Sequence, residues 1–271
     1  METRKEPEDT DPEWKTALPG LALGGRAVHV WRIDLARPPA RVEALLKILS
    51  PDEEERAARF YFQKDRDHYT VARGSLRLIL ARYLDAEARD LRFSYSEYGK
   101  PSLISPGTEA DLRFNLSHSG HLALAGVTYG RDIGIDIEQV REDFAGGKIA
   151  ERFFSEREVA CLRSMPDDWQ AKAFFSCWTR KEAYIKARGE GLSMPLDKFD
   201  VAFAPGEAPA LLATRIDPRE VERWSLHDIG IDEGFAAALA VEGRDLRLDF
   251  WSLPEEQGEE EPGAECRGID T

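Results

Sequence analysis

A chain of 271 residues is long for one simple core and short for three; 42% hydrophobic and 32% charged residues suit a globular interior and exclude a chain disordered throughout. The net charge of −14 argues against generic binding to a nucleic-acid backbone. The longest apolar run, Phe235 to Val241, is seven residues, whereas a membrane-spanning helix needs about 18. The N-terminal METRKEPEDTDPEW lacks the apolar segment of a signal peptide, and Cys161, Cys177 and Cys266 make no paired framework or CxxC motif. A cytoplasmic protein without membrane association is therefore expected. The acidic excess is concentrated at the ends: residues 254–271 carry seven acids and one base, and residues 1–20 carry six acids and three bases. Both ends read as disordered, solvated tails around a mildly acidic body, 21–253.

In chain order, Ala27 to Leu35 reads as a strand that stops at Pro38-Pro39. Ser50-Pro51-Asp52-Glu53 is a helix start, with an N-cap serine, a proline at the first helical position and a glutamate at the third. No proline interrupts the stretch from there to Tyr83, so a single long helix is expected, with Gly74 marking a close packing contact or a bend. Short strands follow near Leu91 to Tyr95, Leu112 to Leu116 and Leu122 to Val127. The second half repeats the order. It has a strand at Ile133 to Glu138, a capping box at Ser155 and Glu158, and a long helix from about Asp168 to Ala187. Strands near Phe199 to Phe203, Glu222 to His227, Phe235 to Val241 and Asp245 to Trp251 complete it. A 115-residue shift places Arg66-Asp67-His68-Tyr69 on Lys181-Glu182-Ala183-Tyr184 and Ala72-Arg73-Gly74 on Ala187-Arg188-Gly189. With the shared element order, this predicts an α+β fold of two similar halves, 21–131 and 132–253, related by a pseudo-twofold axis, with a ligand cleft between them.

Three segments carry candidate chemistry. In IGIDIEQ, alternation buries Ile133, Ile135 and Ile137 and leaves Asp136 and Glu138 on the other face. Two carboxylates at that spacing suit a hard cation such as magnesium, although two solvated acids on a half-exposed strand are an equally simple reading. Trp178, Glu182 and Lys186 recur every fourth residue along one helical stripe, where the Glu and Lys form either an ordinary surface pair or a third metal ligand with a phosphate-facing cation. FNLSHSGHLALAGV places Asn115, Ser117, His118 and Ser119 between two apolar stretches, which is either a cleft edge or a plain hairpin. His29, His68, His121 and His227 show no ligand spacing, and Cys161 and Cys177 read as buried apolar residues. GxxxxGK[ST], GxGxxG after a strand and GxSxG are all absent, so scattered bases, Lys64, Arg66, Arg73 and Lys100, are the candidates for phosphate binding. A magnesium-dependent nuclease or phosphohydrolase and a non-enzymatic binding module are the alternative readings of this set.

Together, YGKP (98–101), FNLSHSG (114–120), GIDIE (134–138) and WTRKEAYIKARGEGLSMPL (178–196) resemble the larger, Sfp-type 4′-phosphopantetheinyl transferases. The resemblance runs from about Ser50 to Leu196 and more weakly to Trp251. It implies a monomer that moves the phosphopantetheine arm of coenzyme A onto a serine of an apo acyl, peptidyl or aryl carrier protein, releasing adenosine 3′,5′-bisphosphate. It further implies that Asp136, Glu138 and Glu182 hold Mg2+, with Mn2+ as an alternative. Glu182, directly or through water, is then the base for the carrier serine, Lys186 lies beside the reacting phosphate, and Ser117, His118 and Lys100 contact coenzyme A, with His118 counted beside Glu182 and Lys186 among the catalytic residues. Lys64, Arg66 and Arg73 are our own assignment to the 3′-phosphate. Glu53 and Glu54 stand where some relatives have basic residues, and Arg56 or Arg59 is the expected replacement.

Overall fold

Period-two alternation and long apolar helical faces recur through the computed structural model, which describes residues 12–17, 20–84, 86–104, 111–141 and 146–254. The first part of the chain forms β1 (Lys15–Thr16), β2 (Ala27–Asp34), α1 (Pro39–Leu46), α2 (Pro51–Ala58), α3 (Gln63–Leu84), β3 (Phe93–Tyr95), β4 (Pro101–Leu103), β5 (Leu112–Ser119) and β6 (Leu122–Tyr129). The second forms β7 (Ile133–Gln139), α4 (Gly147–Phe153), α5 (Glu156–Arg163), α6 (Asp167–Arg188), β8 (Phe199–Val201), β9 (Leu211–Thr214), α7 (Glu220–Arg223), β10 (Trp224–Asp228), β11 (Phe235–Glu242) and β12 (Arg247–Ser252).

The main sheets have strand orders β1-β12-β2-β6-β5 and β10-β11-β7. They face each other through Val28, Val30, Leu122 and Leu124 on one side and Ile133, Ile135, Ile137, Leu239 and Val241 on the other. On the outer faces, α3 covers Trp31, Ile33 and Phe114 with Val71, Leu76, Ile79 and Leu80. Phe174, Cys177, Tyr184 and Ile185 of α6 cover Phe199, Trp224, Ala238 and Ala240. Each large apolar side chain buried in this way contributes about 1.5–3 kcal/mol. Because the isoleucines of β7 point to the sheet–sheet core, Gly134, Asp136 and Glu138 must face the helix layer.

A buried ion pair of the same kind anchors each of the two long helices. The backbone N–H of Ser50 donates to Glu53 at 3.1 Å, and Glu53 accepts from Arg77 Nε at 2.6 Å, while Arg77 also donates to the carbonyls of Ala88 and Leu91. In the second half, Ser155 N–H donates to Glu158 at 2.9 Å, Glu158 pairs with Lys181 at 2.7 Å, and Lys181 donates to the carbonyls of Leu196 and Phe199. The two long helices have 22 residues each and begin at Gln63 and Asp167, an offset of 104 positions. The sequence echo at a shift of 115 does not align these two starts; the two registers differ by 11 residues, about three helical turns, and so present the same face of the helix.

Four further expectations are revised or sharpened. The long helix expected from Ser50 is broken between α2 and α3, with Tyr61 and Phe62 exposed at the break; folding back there brings Glu53 of α2 onto Arg73 and Arg77 of α3. Gly74 is a packing contact, since a Cβ would lie 2.8 Å from that of Leu45 on α1. The tail expected through residue 20 fails in its last part: Lys15 and Thr16 pair with Trp251 and Ser252, and Trp14 packs edge-on against Phe250. Finally, β12 lies parallel to β2, so the end of the presumed second half completes the first sheet. The remainder of both acidic tails, 1–11 and 255–271, lies outside the described residues. No helix among the described residues is long and apolar enough to cross a membrane.

Candidate active site

The site forms where β5, β7 and α6 meet. Gly134 lets the backbones of β7 and α6 touch, because a Cβ there would stand 2.1 Å from the carbonyl oxygen of Ala183 and 2.3 Å from the nitrogen of Ala187. Asp136 and Glu138 follow on the strand, while Glu182 and Lys186 immediately precede the touching residues Ala183 and Ala187 of the helix. On the other side, Leu112, Phe114 and Leu116 of β5 turn to the α3 core, so Asn115, Ser117 and Ser119 face β7. Asn115 accepts from the Ile135 N–H at 2.9 Å, Ser117 donates to Asp136 at 2.9 Å, and Ser119 donates to Glu138 at 3.0 Å.

Asp136 is 2% exposed. Its Oδ1 accepts from Ser117 and, at 2.5 Å, from Lys186 Nζ, whereas its buried Oδ2 has no partner among the described residues. Burial raises its pKa against the pull of Lys186 and Ser117. Glu138 is raised by burial and then by Asp136. Glu182 is pushed up to about 7, chiefly by burial and then by Asp136, with Glu138 adding and Lys186 opposing. These three acids therefore share one electrostatic environment, and their destabilised negative charge is the chemistry that a divalent cation would satisfy. Among the described residues, however, no three His, Cys, Asp or Glu side chains converge at ligand distance. Lys186 occupies Oδ1 of Asp136, so the acids form a charge cluster rather than a finished cage.

The expected coenzyme A contacts divide. Ser117 and Lys186 join the acids, Nζ lying 2.9 Å from the serine Oγ. His118, on the opposite face of β5, keeps a solvent-exposed edge; the protein packed around it, together with Lys186 and His68, holds its pKa below the usual 6.5. Lys64 is exposed on the first turn of α3, one turn before His68. Arg66 holds the Phe60 carbonyl at 3.3 Å and has a buried Nε without a partner among the described residues. Arg73 is a correction: it is buried, bonded to Glu53 and Tyr95 and stacked over Phe93, so its guanidinium is committed to the core. The pattern gave no warning, because its partner Glu53 reads locally as an ordinary capping residue. Lys100 donates to the carbonyls of Ile133 and Ala187 at 3.1 and 2.9 Å, and burial lowers its pKa to about 8. Of the replacement bases, Arg59 pairs with exposed Glu55, and Arg56 lies over the Tyr69 ring.

Sequence reasoning named Ser119 only as part of a cleft edge, without a role of its own, and set His68 aside for lack of ligand spacing. The alternation of Asn115, Ser117 and Ser119 was the available signal for the first; no local signal marks His68, whose proximity to His118 arises from packing α3 against β5. Trp178 begins the helical stripe inside an aromatic cluster, stacked on Phe174 at 6.0 Å. Cys177 is buried, Cys161 is partly so, and both are free thiols.

Family models place this architecture. Residues 132–240 match the 4′-phosphopantetheinyl transferase superfamily model, and residues 38–128 match that of a 4′-phosphopantetheinyl transferase N-terminal region. The chain is 43% identical to the 4′-phosphopantetheinyl transferase HetI of Nostoc sp., over 88% of this chain and 97% of that protein. It is 30% identical to the 4′-phosphopantetheinyl transferase Sfp of Bacillus subtilis, over 85% and 99%. It is also 30% identical to the human L-aminoadipate-semialdehyde dehydrogenase-phosphopantetheinyl transferase, over 75% and 71%. A relative this similar along nearly its whole length, joined to the α+β fold and the acid cluster on β7 and α6, makes this chain a member of the 4′-phosphopantetheinyl transferase family, of the Sfp type.

Proposed function

We propose that this enzyme transfers the 4′-phosphopantetheine arm of coenzyme A to a serine of an apo acyl, peptidyl or aryl carrier protein, acting as a cytoplasmic monomer, in a cleft between halves related by a pseudo-twofold axis. The observation that carries the site assignment is Asp136, a buried acid whose Oδ2 has no partner among the described residues, beside Glu138 and Glu182, two further acids of raised pKa. A divalent cation would satisfy such a set. Asp136, Glu138 and Glu182 would hold Mg2+, or Mn2+ in its place, as oxygen ligands that leave room for water and phosphate oxygens. When bound, the ion would supply neutralisation of the charge that builds on the pyrophosphate.

The carrier serine oxygen forms the new bond to the phosphorus that bears the pantetheine arm. The bond from that phosphorus to the bridging oxygen breaks, and adenosine 3′,5′-bisphosphate leaves with the electron pair. Glu182, directly or through a water, would accept the serine proton. Lys186 is a mobile cation on a four-carbon stem, able to move from Asp136 to a phosphoryl oxygen. Ser117 beside the acids and His118 on the other face of β5 would each contact coenzyme A, with Lys64 and Arg66, near the N-terminal end of α3, as the bases for the 3′-phosphate.

Mass spectrometry of an apo carrier incubated with coenzyme A and magnesium tests this reading. The native enzyme should add the phosphopantetheine mass, whereas Asp136→Asn and Glu182→Gln should fold normally and add none. Substantial transfer by either variant would remove these acids from the site, and release of nucleotides from DNA or RNA would favour a metal-dependent phosphodiesterase instead.

A further inference from the structure

The turn joining β3 to β4 reaches from the first half into the junction that carries the acids. It is closed by hydrogen bonds from Gly99 N to Ser96 O at 2.9 Å, from Ser96 N to Lys100 O at 3.0 Å and from Lys100 N to Ser96 Oγ at 3.1 Å. Gly99, at φ +80°, takes the left-handed conformation that the turn requires. The turn lies against the C-terminal end of α6: a Cβ on Gly189 would meet Lys100 Cδ at 3.4 Å, and one on Gly191 would meet Tyr98 Cβ at 3.7 Å.

From this position Lys100 Nζ donates to the carbonyls of Ala187 and Ile133 at 2.9 and 3.1 Å. The Ala187 carbonyl belongs to the last turn of α6, where carbonyls lack intrahelical donors and a cation complements the negative end of the helix. Ile133 opens β7, three residues before Asp136. The same ammonium thus joins the strand that bears Asp136 and Glu138 to the helix that bears Glu182 and Lys186. The next residue of β7, Gly134, brings the strand into direct backbone contact with Ala183 and Ala187 of α6.

We propose that Lys100 is a positioning residue whose ammonium clasps β7 to the last turn of α6 and so fixes the separation of Asp136 and Glu138 from Glu182 and Lys186. Gly134 sets how closely the elements approach, and the Lys100 clasp keeps them from opening at the end of the helix. Removing the ammonium leaves two partly buried carbonyls without their donor. The inference rests on the reading of those four residues as the transfer machinery, and it replaces the nucleotide contact expected of Lys100.

The test combines transfer kinetics with calorimetric binding of adenosine 3′,5′-bisphosphate by the full-length enzyme. Lys100→Met keeps the apolar stem and deletes the donors. It should lower kcat by about tenfold or more, since small misplacements of catalytic groups are costly, and Lys100→Arg should restore part of the loss. The nucleotide Kd should stay within about twofold of the native value. A Kd weakened by about tenfold with kcat unchanged at saturating coenzyme A would make Lys100 a nucleotide contact and overturn the proposal, as would native values of both constants. Should Lys100→Met fail to fold, Lys100→Gln is read by the same two constants. Transfer by Asp136→Asn would refute the assignment of the acids whatever Lys100 does; native kinetics in Lys100→Met would refute only the clasp.

Discussion

Replacing Gly134 with alanine asks whether the distance between β7 and α6 sets activity. The added Cβ would be 2.1 Å from the Ala183 carbonyl oxygen, 2.3 Å from the Ala187 nitrogen and 2.9 Å from the Ala187 Cα, all backbone atoms that no rotamer change can move. Ordinary contact begins at 3.4 Å, so strand and helix must separate locally by about 1.3 Å. Overpacking of this kind costs about 1–3 kcal/mol, occasionally more, which urea unfolding should register as a lower midpoint. The effect on transfer should be larger than the loss of stability explains. Glu182 precedes Ala183, Lys186 precedes Ala187, and Asp136 lies two residues beyond Gly134, so the displacement falls on the site, where about 1 Å of misplacement can cost roughly 100-fold in rate. Carrier modification should therefore be measured at a denaturant-free temperature where Gly134→Ala is still folded by circular dichroism. A folded Gly134→Ala enzyme with native kcat would refute the claim that this contact spaces the catalytic groups.

The duplicated anchors and the buried histidine make separate predictions. Glu53→Ala and Glu158→Ala each strand buried cations, Arg73 and Arg77 in one half and Lys181 in the other. Each should destabilise the fold by about 3–5 kcal/mol in urea titrations, whereas breaking the exposed Arg59–Glu55 pair should cost less than about 1 kcal/mol; equal losses would discredit the distinction. His29 is buried against Tyr83, and burial lowers its pKa from 6.5 to about 4, with Asp249 opposing. The unfolded chain therefore takes up the proton first as acid is added. Stability from this group is complete above pH 6.5 and declines as pH falls towards 4, by about 3 kcal/mol in all. Thermal melts of His29→Gln should show a shallower loss than the native protein between those pH values, and parallel curves would contradict the assignment.

Much of the fold was legible because it depends on short-range periodicity. Ile133, Ile135 and Ile137 announce which side of their strand is core, and thereby where Asp136 and Glu138 point; the four-residue repeat of Trp178, Glu182 and Lys186 places those side chains on one stripe of α6. Ser50 and Ser155 mark helix starts through contacts only three residues long. The partners of charged side chains were not legible in this way. Arg73 has the composition of a phosphate ligand, and only the fold-back of α2 supplies Glu53 as its counter-charge. Lys100 finds its carbonyl acceptor 87 positions away on α6, and β12 lies beside β2 because the end of the chain crosses back to the first sheet. The sequence by itself determined which residues face inward and which groups are available for chemistry, since both follow from side-chain type and backbone repeat. Only the tertiary structure decided which of those groups remain available, because a buried charge must be paired, and its partner is chosen by packing between elements distant in the chain.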